Sequence, residues 1–228
     1  MTWDLTRFSV RCAWTRTGET PKRIAQMTEA YIADFSTRMG GGRWASLDGA
    51  WDGSIASLTA LVRQGVETGE TRDSNPAGGH GVWMRSVHSP VESLLNVFAG
   101  QAQLSPAVAS PGMTHAFGTK SDVSAPVTWD AATRAAITAF DPAFVAAQER
   151  DLLRVAPGEG WQLPIAYRVW VNESVGRVQQ VPDGVVLENV GKGTLVSVPV
   201  EWPAQRVLEQ MSEVYRLNGL DSVPLLAQ

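Results

Sequence analysis

The sequence predicts an α+β fold, a mainly antiparallel sheet with flanking helices, in a single domain spanning residues 1–228. Three observations carry that prediction. Short runs rich in β-branched and aromatic residues are joined by glycine-bounded connections, which suit hairpins better than parallel crossovers. Stripes of apolar residues at helical spacing interrupt those runs at several places, giving the order strand, helices, several strands, helices, strands, helix. The apolar residues make up 44% of the chain, enough for a substantial core. No segment has the composition of a linker.

Phe8 to Trp14 reads as the first strand, with Phe8, Val10 and Cys12 on one face and Ser9 and Arg11 on the other. Thr20-Pro21 starts a helix, a capping side chain followed by proline at the first helical position. Ile24, Met27, Tyr31 and Phe35 form its apolar stripe, and Gly40-Gly41-Gly42 ends it. Ser54 caps a second helix carrying Ile55, Leu58, Leu61 and Val62, which ends near Gly65. Thr68 to Gly81 is a polar, glycine-rich loop, and Val82 to Val87 is a strand. Val91 to Ala99 suits a short helix or a buried strand, and strand is preferred. Leu104 to Pro126 reads as loop with one short strand near His115–Phe117.

Thr128 or Asp130 caps an alanine-rich helix through Ala139. Asp141-Pro142 is expected to re-cap a further helix with Phe144, Val145, Gln148 and Leu152 behind it, ended by Pro157-Gly158-Glu159-Gly160. Ile165 to Val171, Gly184 to Glu188 and Gly193 to Val198 are strands. After Pro199 and Pro203 the period changes, and Val207, Leu208, Met211, Val214, Tyr215 and Leu217 fall on one side of a last helix. Asn218-Gly219 stops it, because glycine takes a left-handed cap without steric cost.

Reactive chemistry is sparse in this scaffold. His80, His88 and His115 are too scattered for a local metal site, and one cysteine excludes a thiolate cluster. Cys12 lies in an apolar run and reads as a buried structural thiol. Gly191-Lys192-Gly193-Thr194 leads into a strand, whereas a phosphate cradle needs a helix N-terminus behind it. Asn172-Glu173-Ser174-Val175-Gly176 lacks the first glycine of a nucleophile elbow. Carboxylates cluster at Glu67, Glu70 and Asp73 and again at Glu149, Asp151 and Glu159, and a hydrolase would need two of them across a cleft. Glu149-Arg150-Asp151 with Arg154 reads first as a solvated, ion-paired helical face. No catalytic set, cofactor motif or metal site is therefore assigned.

The charge is uneven. Residues 1–120 carry 11 basic and 10 acidic side chains, whereas residues 121–228 carry 8 and 13, so the net −4 resides in the second part. Such a balance disfavours direct nucleic-acid binding, which needs clustered positive charge. It suits solubility, or a basic protein partner. Nothing resembles a membrane span or a secretory leader, so a cytoplasmic location is expected. Nine tryptophans are several times the usual share; most are expected in the core, and one or two on the surface would mark a contact site.

Several local patterns carry a resemblance. They are Phe140-Asp141-Pro142-Ala143-Phe144 after a helix, Ala166-Tyr167-Arg168-Val169-Trp170, the Pro182-Asp183-Gly184-Val185 turn, Gly191-Lys192-Gly193-Thr194-Leu195-Val196 and the final helix ending Asn218-Gly219-Leu220. On these the chain resembles the Immunity protein 52 family of bacterial polymorphic-toxin and type VI secretion systems. It departs where Phe140 and Phe144 stand at positions associated with tryptophan, and Ser89 to Pro126 matches poorly. The resemblance implies a non-enzymatic cytoplasmic antitoxin that binds a cognate toxin effector, often a nuclease, and blocks its active site or substrate access. Under that implication Asp141, Glu149, Asp151, Glu159 and Trp161 are the expected partner contacts, and no cofactor is expected. Two other classes stay open: a hydrolase whose carboxylates converge in a pocket, and a structural module of a prophage or secretion apparatus.

Overall fold

The computed structural model describes residues 8–65, 79–87, 89, 91–104, 110–118, 125–156, 161–220 and 222–223. Trp3, His88, Glu159, the carboxylates Glu67, Glu70 and Asp73, and the turn Pro157–Gly160 lie outside these residues. The described residues form one nine-stranded sheet in which every neighbouring pair is antiparallel. The strands are β1 (Phe8–Ala13), β2 (Arg43–Ser46), β3 (His80–Val87), β4 (Ser93–Ala99), β5 (Gly112–Phe117), β6 (Phe144–Glu149), β7 (Arg168–Asn172), β8 (Val186–Val190) and β9 (Gly193–Ser197). Their order across the sheet is β2-β3-β4-β5-β1-β6-β7-β9-β8. Five helices flank it: α1 (Pro21–Arg38), α2 (Ile55–Gln64), α3 (Ala125–Phe140), α4 (Arg150–Val155) and α5 (Ala204–Asn218).

Registers fix two faces, because side chains alternate along a strand. Val10 pairs with His115 and with Ala147, and Cys12 with Met113 and Val145. All six are buried, and they define the first face, on which α1, α2 and α3 pack. Thr20 caps α1 by accepting from the Arg23 amide, and Pro21 needs no donor there. Ile24, Met27, Tyr31 and Phe35 are all buried beneath α1, as the spacing predicts. Trp14 stacks on Phe140 with centroids 5.2 Å apart, and Phe8 meets Trp129 edge-on. On the second face Val169, Val171 and Val196 are wholly buried, sharing one apolar cluster with Val207, Met211 and Val214 of α5.

Within residues 91–99, Ser93–Ala99 is strand β4, which lies inside the sheet between β3 and β5. The expected second helix after Asp141-Pro142 is corrected: Phe144–Glu149 is strand β6, and only Arg150–Val155 is helical. Asp141 adopts φ 41°, a left-handed conformation that turns the chain sharply out of α3 instead of capping a new helix. Phe144 to Gln148 are then buried on both faces between β1 and β7. A doubly buried strand loses the two-residue alternation, so its sequence is read as easily as helix. Strand β2 was not anticipated; it is a four-residue edge strand directly after the glycine run.

Candidate partner-binding surface

The four described residues of the expected contact set do not form one patch. Asp141 sits at the α3–β6 corner, where Arg16 donates through Nη1 to its carbonyl (2.8 Å) and through Nη2 to that of Phe140. Its carboxylate lies 3.9 Å from the same guanidinium. Glu149 ends β6, and Asp151 opens α4 with its carboxylate 3.2 Å from Arg154. The six residues of β6 separate these two groups by roughly 17 Å. Trp161 is partly buried against the core, and its carbonyl accepts from the Val223 amide at 2.9 Å.

Many carboxylates of the acidic half face their own arginine. Asp130 pairs with Arg168 at 3.3 Å, Glu188 with Arg134 at 2.8 Å and Glu173 with Arg177 at 3.1 Å. Glu213 and Arg216 form a further surface pair, which holds the carboxyl below its ordinary range. Local pairing shortens the reach of the negative field that the sequence suggested.

The buried titratable groups belong to packing. His115 is wholly buried, with Nδ1 2.6 Å from the Tyr31 hydroxyl and rings of Phe35, Trp44 and Phe117 around it. Burial alone pushes its pKa down to about 3, so it is neutral. Cys12 is buried too, and desolvation pushes its thiol upward, which leaves it unreactive. Among the described residues no group of three or more His, Cys, Asp or Glu side chains is placed to hold a metal ion. No described helix is long and apolar enough to cross a membrane.

What sequence reasoning missed is the second face of β2-β3-β4-β5-β1. Buried residues of α5 share the apolar cluster with the second-face valines of β7 and β9, whereas Arg43, Trp83 and Arg85 on the β2–β3 side are exposed. The outward positions of β1 to β5 include Arg11, Arg43, Trp83, Arg85, Asn96, Phe98 and Thr114, by the strand registers. Trp83 is 44% exposed, whereas Trp14, Trp129 and Trp170 are buried. At the border with the covered side, Arg11, Asn96, Phe98, Thr114, Phe144 and Trp161 line a cavity of about 240 Å³. A second groove of about 500 Å³ runs beside β8 and β9 between Glu173, Arg177, Leu187 and Asn189. The outward Trp83 was legible in principle, since Val82-Trp83-Met84-Arg85 alternates.

No family model matches the chain, and no curated protein is similar to it. Among solved structures, the fold is similar to that of the Pseudomonas aeruginosa T6SS protein PA0821, with a TM-score of 0.50. The two are 7% identical, and the likeness covers 83% of this chain and 67% of that one. At that identity the likeness is one of fold.

Proposed function

We propose that this chain is an immunity protein, which binds a cognate bacterial toxin effector stoichiometrically and holds its active site away from substrate. The observation that carries the reading is the shared fold with a protein whose name places it in a type VI secretion system. It agrees with the independent resemblance of Phe140–Phe144, Ala166–Trp170 and the final helix to the Immunity protein 52 family. The continuous nine-stranded sheet suits this reading physically, since a preorganised binder loses less entropy on association. Under this reading the partner is a nuclease effector made beside the chain, inhibition is steric, and no residue here is catalytic. Co-expression with the neighbouring gene is the test. The expected result is growth arrest by that gene alone, relief by this chain, and a 1:1 complex on size exclusion. Arrest that persists while the folded chain is abundant sinks the reading.

A further inference from the structure

The guanidinium of Arg11 is an unpaired cation set into the cavity on the second face. It forms no hydrogen bond or ion pair with any described residue, and its Nε–H is sealed from solvent with nothing to donate to. Burial lowers its pKa, and it interacts electrostatically with the neutral phenol of Tyr215, whose own pKa burial drives upward. Buried charges are ordinarily paired, and buried donors ordinarily satisfied. Among the described residues no Asp or Glu lines the cavity; Asn96, Ser110 and Thr114 supply neutral polar groups beside the arginine. The surrounding face repeats the pattern. Arg43 and Arg85 are exposed there with no ion pair to a described residue, Trp83 is exposed beside them, and no outward position of β1 to β5 is acidic. Of the described acids, Asp48 follows β2 and its carboxylate accepts from the Trp83 amide at 2.9 Å, and Glu92 precedes β4 at the end remote from Phe98.

We infer that the Arg11 cavity is a socket for an Asp or Glu side chain of a protein partner, which docks its acidic surface on the open face of β2-β3-β4-β5-β1. This rests on the reading above that the chain works by binding a protein. A carboxylate entering the cavity would take a charge-assisted pair from the guanidinium and neutral hydrogen bonds from the rim. Trp83 and Phe98 would give apolar contact around it, an aromatic anchor beside a shielded charge. The volume, about 240 Å³, is small for a metabolite site, which usually needs about 300 Å³ or more, and is ample for one side chain. Three arginines on a chain of net charge −4 are also few for a nucleic-acid backbone, which typically takes about 6–10 phosphate contacts.

Calorimetry with an inactivated form of the neighbouring gene's product tests the socket. Arg11→Met and Arg11→Gln are expected to weaken binding by at least about 30-fold, while neither variant melts below wild type, because each removes a partly buried charge that has no described partner. Unchanged affinity in a folded Arg11→Met chain overturns the socket and leaves the immunity reading standing. A clear fall in melting temperature in both variants assigns Arg11 a structural role and also overturns it. If wild type itself fails to bind that product, the immunity reading fails, and sodium acetate against sodium chloride at equal ionic strength decides the socket. A stabilisation by acetate that Arg11→Met abolishes supports it; no stabilisation overturns it. Tight binding of poly-dT that Arg85→Ala abolishes would replace the protein occupant with a nucleic acid.

Discussion

Acid should weaken this fold through one histidine. His115 is wholly buried, has the Tyr31 hydroxyl at 2.6 Å as its hydrogen-bond partner, and has a pKa near 3 against an ordinary 6.5. The unfolded chain therefore binds a proton below pH 6.5 that the folded chain refuses until about pH 3. Stability is complete above the unfolded value and falls as pH drops through that window, since the unfolded state then binds more protons. By about pH 5 the loss is roughly 2 kcal/mol, at about 1.4 kcal/mol for each unit below 6.5. Neighbouring Tyr31 and Cys12 stay neutral throughout, because burial drives both upward. Urea unfolding of wild type and of the Tyr31→Phe/His115→Phe double variant at several pH values between about 5 and 7.5 reads the effect. Removing both partners avoids the orphaned Tyr31 hydroxyl of the single His115→Phe variant, worth about 1–3 kcal/mol. The double variant should lose the histidine's share of the slope, whatever its absolute stability. Parallel curves for the two proteins would refute the assignment of that slope to His115.

Two glycines give sharper structural tests. A Cβ at Gly193 would lie 2.2 Å from the Val171 carbonyl oxygen and 2.7 Å from the Trp170 ring, so Gly193→Ala must force β9 from β7. Its expected cost is about 3 kcal/mol or more by urea denaturation, and a loss under about 1 kcal/mol would contradict that packing. Gly219 caps α5 at φ 64° with open space around it, so Gly219→Ala pays only for the left-handed conformation. About 1–2 kcal/mol is expected in the same assay, and a neutral result would mean that the cap is not left-handed in solution.

Legibility in the sequence followed how many faces an element buries. Helices α1, α2 and α5 have one buried stripe and recognisable ends, with Thr20, Ser54 and Gly219 at the caps, and the sequence places all three. Strands with contrasting faces were equally plain, as Phe8, Val10 and Cys12 show in β1. Strand β6 escaped because alanines and valine fill both its faces, and the signal that separates it from helix is the turn at Asp141, which only the backbone reveals. Edge strand β2 escaped because its four residues are too few to show a period. The contact residues were chosen as acidic and aromatic side chains, and sequence does not say which carboxylates meet an arginine in space or which ring is buried. Arg11 gave no signal at all: an arginine in an alternating strand is ordinarily a solvated side chain, and its isolation depends on Phe144 and Trp161 arriving from elsewhere.

The position of β6 ties these observations together. Had residues 144–152 formed one helix, Asp141, Glu149 and Asp151 would lie on a single element beside the sheet, and an acidic contact row would follow. As a strand, the same residues become the seam of the sheet, next to β1. On one side of that seam buried residues of α5 share the apolar cluster with the second-face valines of β7 and β9; on the other, Arg43, Trp83 and Arg85 of β2 and β3 are exposed. Asp141 and Asp151 move to the two ends of β6 and find arginines there, while the arginines of the open face meet no acid among the described residues. The unneutralised charge that remains for a partner on that face is therefore positive, although the chain as a whole is negative. Net charge governs the approach of two proteins at distances near the Debye length, but the docked surface is selected by the groups that stay unpaired in the free molecule. On that physical ground Arg11, Trp83 and Arg85 take precedence over Asp141 and Asp151 as the first positions to substitute when the partner is in hand.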